Sequence, residues 1–236
     1  RGGPTLRDLT LASGDLSNMR VAAWNDWYAG NGKTDWNAKG LLPFRVWQFF
    51  TLMVDRLKAG DVEHFVCAAG AVSHYIGDAC QPLHGSYHAD GYRERADAGA
   101  TTWPGKGVHS TYEDKMVDRF SAQLLATIGP QAQAFNAPIQ PMSTGQAAAL
   151  ATVQLMDHVA KIIPPTELCD EYIRLGGGTS RPVVDGLWNT FGPRTGQVMG
   201  AGARYLAAVW DAAYAAAAHP AFPAVAVDEA ALAAIY

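Results

Sequence analysis

Apolar residues recur at helical spacing along most of the chain, and the two-residue alternation of a half-buried strand never persists. The clearest pattern opens at Leu42-Pro43-Phe44, where proline suits the first helical position. Phe44, Trp47, Phe50, Val54 and Leu57 then share a stripe up to Gly60. Asp61 reads as the N-cap of a second helix with Phe65, Val66, Ala69, Val72 and Ile76 on one side, ending near Pro82. A polar, glycine-bearing segment from about 85 to 107, with Pro104 inside it, reads as a long loop, and loops of that length commonly carry function.

Ser110 to Gly129 is expected to form a third helix, with Val117, Phe120, Leu124 and Ile128 inward. Ser143-Thr-Gly-Gln146 resembles a capping box ahead of a fourth, in which Leu150, Val153, Met156, Val159 and Ile163 share a face before Pro164-Pro165. A short helix is expected from Thr166 to Leu175, and Pro193 is expected to open the last long one, lined by Val198, Gly202, Tyr205, Val209 and Ala213. Asp228 is a candidate cap for a final turn. There is no internal repeat, so the expected architecture is all-α, a single-domain helical bundle over residues 1–236.

Composition narrows this modestly. A hydrophobic fraction of 49% and a charged fraction of 17% belong to a folded chain and not to a disordered one. A net charge of -4 lacks the basic footprint of a dedicated nucleic-acid binder, and no apolar run is long enough for a membrane span. Three cysteines, Cys67, Cys80 and Cys169, exclude a disulfide scaffold. No stable protein partner is inferred. Arg1-Gly-Gly-Pro is neither an initiator methionine nor a signal peptide, so an upstream segment is expected to be missing.

The chemistry gathers in the stretch HYIGDACQPLH, residues 74–84. His74 and Asp78 are four apart on the second helix and project from one face, which also carries the small residues Cys67, Gly70 and Ala71, leaving room for another helix or for further ligands. His84 follows the Pro82 break, and His109 with Glu113 repeats the i, i+4 spacing. Imidazole with carboxylate suits zinc, whereas oxygen-only sites favour magnesium or calcium. His84, His109 and Glu113 would give the three protein ligands of a catalytic zinc; His74 and Asp78 would hold a second ion short of ligands. Two zinc ions roughly 3.5–4 Å apart suit phosphodiester hydrolysis. Glu113 has a second reading as part of the capping box Ser110-Thr-Tyr-Glu113. Asp78 near a helix C-terminus opposes the macrodipole, which favours a nearby cation.

Together, HYIGDACQPLH and His109-Ser-Thr-Tyr-Glu113 resemble the superfamily of zinc-dependent phospholipases C and single-strand-specific zinc nucleases, from about residue 41 onward. The resemblance implies an all-helical domain with two or three zinc ions. His74 and Asp78 would bind one, and His84, His109 and Glu113 another. Asp78, bridging to a third, would be the catalytic carboxylate. It implies a phosphoric diester hydrolase, secreted or periplasmic, in which a metal-bound hydroxide attacks phosphorus. Phospholipid and single-stranded nucleic acid are alternative substrates: Glu113 resembles the phospholipase side, the long gap between His84 and His109 the nuclease side.

The departures lie upstream. Members of that superfamily begin with a metal-binding tryptophan and carry an early aspartate and histidine, whereas here Arg1 comes first and no histidine precedes His64. Asp26 and Asp35 read first as loop or cap residues, with substitution for the missing ligands as the alternative. These gaps sustain a second hypothesis, a non-catalytic helical zinc-binding or interaction module with an incomplete metal cluster. A bundle without metal is a third. His88 and Asp90 read as solvated loop residues with substrate or metal contact as the alternative; Tyr87, Tyr92 and Trp103 are a weak candidate rim. His64 and His158 receive no role.

Overall fold

The structure is a computed structural model, and it describes residues 5–35 and 39–222. Its described residues are helical, with turns and bends between, and contain no strand. The all-α expectation therefore holds. In chain order the helices are α1 (Leu6–Ala12), α2 (Val21–Gly30), α3 (Leu42–Lys58), α4 (Val62–Ala79), α5 (Val108–Ser110), α6 (Val117–Arg119), α7 (Ser121–Ala134), α8 (Gly145–Ile162), α9 (Pro165–Arg174) and α10 (Arg181–Ala216). A π-helical turn, Thr111–Met116, joins α5 to α6. No described helix is long and apolar enough to cross a membrane.

The central pair, α3 and α4, forms for the reasons visible in the sequence. Pro43 opens α3, and the Asp61 carboxylate caps α4 by accepting the backbone N–H of His64. Phe50, Val54 and Leu57 of α3 meet Ala69, Val72 and Ile76 of α4 in the main core, with α10 crossing both. Phe44 and Trp47, expected on the same stripe, instead serve a second, smaller cluster around Met19, Trp24 and Val153, where Trp24 packs edge-on to Phe44 at 5.0 Å.

Several boundaries differ from expectation. Helices α1 and α2 were not anticipated, because each buries a single residue, Thr10 and Trp24, and so shows no convincing apolar stripe. The fourth expected helix is capped one residue later, by the Thr144 hydroxyl accepting from Ala147. Gln146 does not reach back to close a capping box; its amide donates to the carbonyls of Leu16 and Met19 and ties α8 to the N-terminal segment. Pro193 does not start the last helix but lies inside α10, which begins at Arg181. A proline normally disfavours helix interiors, but the residues around it are buried against neighbours that hold the helix together: Tyr112 and Thr195 share a buried hydroxyl–hydroxyl bond of 2.8 Å just beyond it. Val66, expected inward, is largely exposed, and the small stripe at Cys67 and Gly70 is covered by nothing among the described residues. Asp228 lies outside the described residues.

One partly buried histidine carries a charge penalty. His158 on α8 packs edge-on to Phe135, its Nε2 is buried without a hydrogen-bond partner, and burial holds its pKa below the usual 6.5 despite the opposing field of Asp157; Lys161 pushes the same way as burial. The unfolded chain thus takes up this proton more readily than the fold. The contribution of His158 to stability is complete above pH 6.5 and is lost as the pH falls through that value. His158→Phe should therefore gain melting temperature over the wild type progressively between pH 7.5 and 5.5, roughly the window set by an ordinary imidazole; a difference independent of pH in thermal unfolding would contradict this.

Candidate metal centre

Three side chains from two separated stretches converge beside the end of α4. The helix stops at Ala79, and Gln81-Pro82-Leu83 turns the chain back over its last turn, so that the His84 ring lies under Asp78. His84 Nδ1 donates to the Asp78 carbonyl at 3.0 Å and lies 3.7 Å from the Asp78 carboxylate. From the other side, His109 in α5 donates its Nδ1–H to the Ala89 carbonyl at 2.9 Å. Both rings must carry a proton on Nδ1 to do this, and in the neutral rings both Nε2 atoms then present lone pairs. These face each other at 3.2 Å, with a Glu113 carboxylate oxygen 2.9 Å from His109 Nε2 and 3.5 Å from His84 Nε2.

Three acceptors pointed at one spot repel one another unless a proton or a metal ion lies between them. A tetrahedral zinc at about 2.0–2.1 Å from each donor would space the donors about 3.4 Å apart, close to what is seen. His84, His109 and Glu113 thus form a group able to hold a metal ion, and they are partly open to solvent. The expected trio is brought together.

Glu113 gets there by an unanticipated route. It lies on the π-helical turn, where the backbone is wound more loosely than in an α-helix; such turns are rare and concentrate at functional sites. The helical run starts at Val108 after Gly107, so Ser110 is not an N-cap and the capping-box reading of Glu113 fails. The reason is tertiary: Tyr112 and Met116 of the same turn are buried in the main core, and this sets the phase that turns Glu113 toward the histidines.

The other candidates divide. His74 and Asp78 do meet, Nε2 to carboxylate at 3.3 Å, but His74 is 71% exposed and no third donor joins them among the described residues. Asp78 instead stands behind His84, on the Nδ1 side. Asp26 is exposed on α2, and neither it nor Asp35 belongs to the metal-capable group. Tyr92 is no rim residue: it is 2% exposed, and its hydroxyl donates to Asp170 of α9 at 2.6 Å. Tyr87 is exposed, and Trp103 is flanked by the Arg93 and Lys106 cations.

Two polar residues matter more than their sequence context suggested. Gln81 is buried; its amide donates to Glu113 at 3.1 Å while its carbonyl accepts the Leu83 N–H at 2.8 Å, joining the turn after α4 to the π-helical carboxylate. It lies in the quoted motif, but only its burial beside Glu113 reveals the link. Asp90, expected in solvent, accepts from the backbone of Gly107 and of His109. The loop carrying it is pinched shut where Gly91, at φ +90°, meets Gly105; a Cβ at Gly91 would sit 2.5 Å from the Gly105 carbonyl carbon.

No family model matches the chain, and no solved structure matches it. A probable serine protease of Bradyrhizobium tropiciagri is 41% identical over 233 residues, an alignment covering 89% of this chain and 29% of that protein. The chain therefore spans less than a third of the length of this relative. The comparison corrects the expected activity: the relative bears the name of a protease, an enzyme class that attacks planar carbonyl carbon, and not of a phosphodiesterase. Phospholipase C and nuclease chemistry, with phospholipid or single-stranded nucleic acid as substrate, is withdrawn.

Gln81→Met should leave the Leu83 N–H and Glu113 without their shared partner. It should cost about 1–3 kcal/mol in denaturant unfolding and weaken the hold of the three donors on an added divalent cation by about 10–100-fold, as loss of an outer partner does. Unchanged affinity for that cation would show that Glu113 does not need this bond.

Proposed function

We propose that this chain is a helical metal-binding domain of a hydrolase, with a divalent cation held by His84, His109 and Glu113. The observation that carries the reading is the pair of imidazole Nε2 atoms facing each other at 3.2 Å while both Nδ1 atoms are committed to carbonyl acceptors. The donor set of two imidazoles and one carboxylate favours zinc, which when bound supplies Lewis acidity toward water or a carbonyl oxygen. The chain's own residues do the rest. The Asp78 and Ala89 carbonyls hold the two rings, Gln81 holds Glu113, and the partial exposure of the three donors leaves a side open to solvent.

The protease name of the relative belongs to a protein more than three times as long as the stretch aligned. Among the described residues no serine hydroxyl hydrogen-bonds to a histidine ring; the Ser86 hydroxyl accepts the backbone N–H of His88, not a bond from its imidazole. A serine nucleophile needs a base within hydrogen-bond reach, so we assign no seryl chemistry to these residues. For the fold type we propose kinship with the zinc-dependent phospholipase C and nuclease superfamily, without its activity. The paired spacings of His74 with Asp78 and of His109 with Glu113 support that kinship. A location outside the cytoplasm is proposed on the same resemblance alone.

Titrating the purified chain with zinc, followed by calorimetry and elemental analysis, should give a site that His84→Ala and His109→Ala each weaken by more than about 100-fold, beyond the loss expected for an outer partner. Circular dichroism should show both variants folded. Absence of zinc binding by the wild type, or wild-type affinity in either variant, overturns the reading. Hydrolysis of a fluorogenic peptide amide should, where it occurs, be lost with a chelator and survive a serine-directed fluorophosphonate; the opposite result places the chemistry on a serine.

A further inference from the structure

We propose that Asp90 is a positioning residue for the metal centre: through the Ala89-Asp90 dipeptide it sets both the orientation and the tautomer of His109. The inference rests on the metal-binding reading above and deepens it. One carboxylate oxygen of Asp90 accepts the Gly107 N–H at 2.8 Å and the His109 N–H at 3.3 Å, so it binds the backbone on which His109 stands. The carbonyl of the preceding residue, Ala89, takes the His109 Nδ1–H at 2.9 Å, so the same dipeptide binds the ring. Backbone and side chain of one ligand are thereby referred to a single rigid point.

That point is itself fixed from three sides. The Asp90 carbonyl accepts the Trp103 indole N–H at 2.6 Å, the Tyr92 N–H donates to Pro104 at 2.8 Å, and the buried Cys169 thiol of α9 lies 3.7 Å from the His88 carbonyl as its donor. Gly107 cannot orient His109 unaided. It has a left-handed φ of +91° and no side chain to cap the amides that follow, and the carboxylate from across the loop supplies the acceptor that a local Ser or Asp would give. Without it the start of the helical run loses its anchor, the ring leaves the Ala89 carbonyl, and the Nδ1-protonated form loses the bond that selects it.

The test uses the whole chain, and its main readout needs no metal. Long-range proton–nitrogen NMR of the metal-free wild type should show His109 as the Nδ1–H tautomer. Asp90→Ala should shift His109 toward a mixture of tautomers and weaken binding of zinc alone by about 10–100-fold, whereas Asp90→Asn, which keeps an acceptor of the same reach, should return affinity to within about threefold of wild type. Should Asp90→Ala not fold, Asp90→Ser carries the same expectation at smaller size. Lys106→Met removes the bond to the Thr101 carbonyl from the same loop without touching Asp90 or His109 and controls for general loosening. An unchanged His109 tautomer in Asp90→Ala, or an equal shift in Lys106→Met, overturns the proposal. If the wild type binds no zinc while Asp90→Ala still shifts the tautomer, the metal reading fails and the positioning of His109 by Asp90 stands.

Discussion

Two imidazole nitrogens that both present lone pairs cannot rest 3.2 Å apart beside a carboxylate unless positive charge sits among them. Everything around His84, His109 and Glu113 enforces that frustrated meeting. The Asp78 and Ala89 carbonyls accept the Nδ1–H on the far side of each ring, Gln81 donates to the carboxylate from behind, and the closed loop from 85 to 107 carries one wall of the site to the other. An arrangement of this kind is unfavourable in isolation. It persists because the elements that bear it are anchored in the core for reasons of their own.

The anchoring is unequal. His84 rides on the end of α4, whose Ala69, Val72 and Ile76 are locked between α3 and α10, and Cys80 next to the turn packs against Gly202 so closely that the thiol is buried and its pKa pushed up to about 12. Glu113 rides on a π-helical turn pinned by Tyr112 and Met116. His109 alone depends on a loop, and that loop leans on α9 through Tyr92 with Asp170 and Tyr172 with Lys106. A site made of two rigid ligands and one borrowed from a braced loop is most easily tuned at the third.

The comparison with a much longer protein named as a probable serine protease removes the phosphodiesterase expectation and leaves the geometry of the three donors as it is. The resemblance to phosphodiester hydrolases identified the residues that meet, but their meeting does not select a substrate. A metal ion held by these two imidazoles and the carboxylate would polarise an oxygen on carbon as readily as one on phosphorus. Substrate choice lies in the walls of a site, and the walls here are loop residues whose neighbours the sequence does not disclose.

The sequence alone determined the helical class, the α3–α4 pair with its proline start and aspartate cap, and the residue types able to meet at a metal, because periodicity, capping and i, i+4 spacing are local properties read within a turn or two. Only the tertiary structure decided the rest. Pro193 is carried inside α10 by the burial of Phe191, Gly192 and Thr195 around it, and Gln146 is drawn from its own helix start to the carbonyls of Leu16 and Met19. Glu113 was won for the centre and not for a helix cap because the burial of Tyr112 and Met116 rotates the π-helical turn, and Asp90 was drawn from solvent to His109 because the loop closes at Gly91 and Gly105. Each of these outcomes depends on contacts between residues far apart in the chain, whose strength no local pattern encodes.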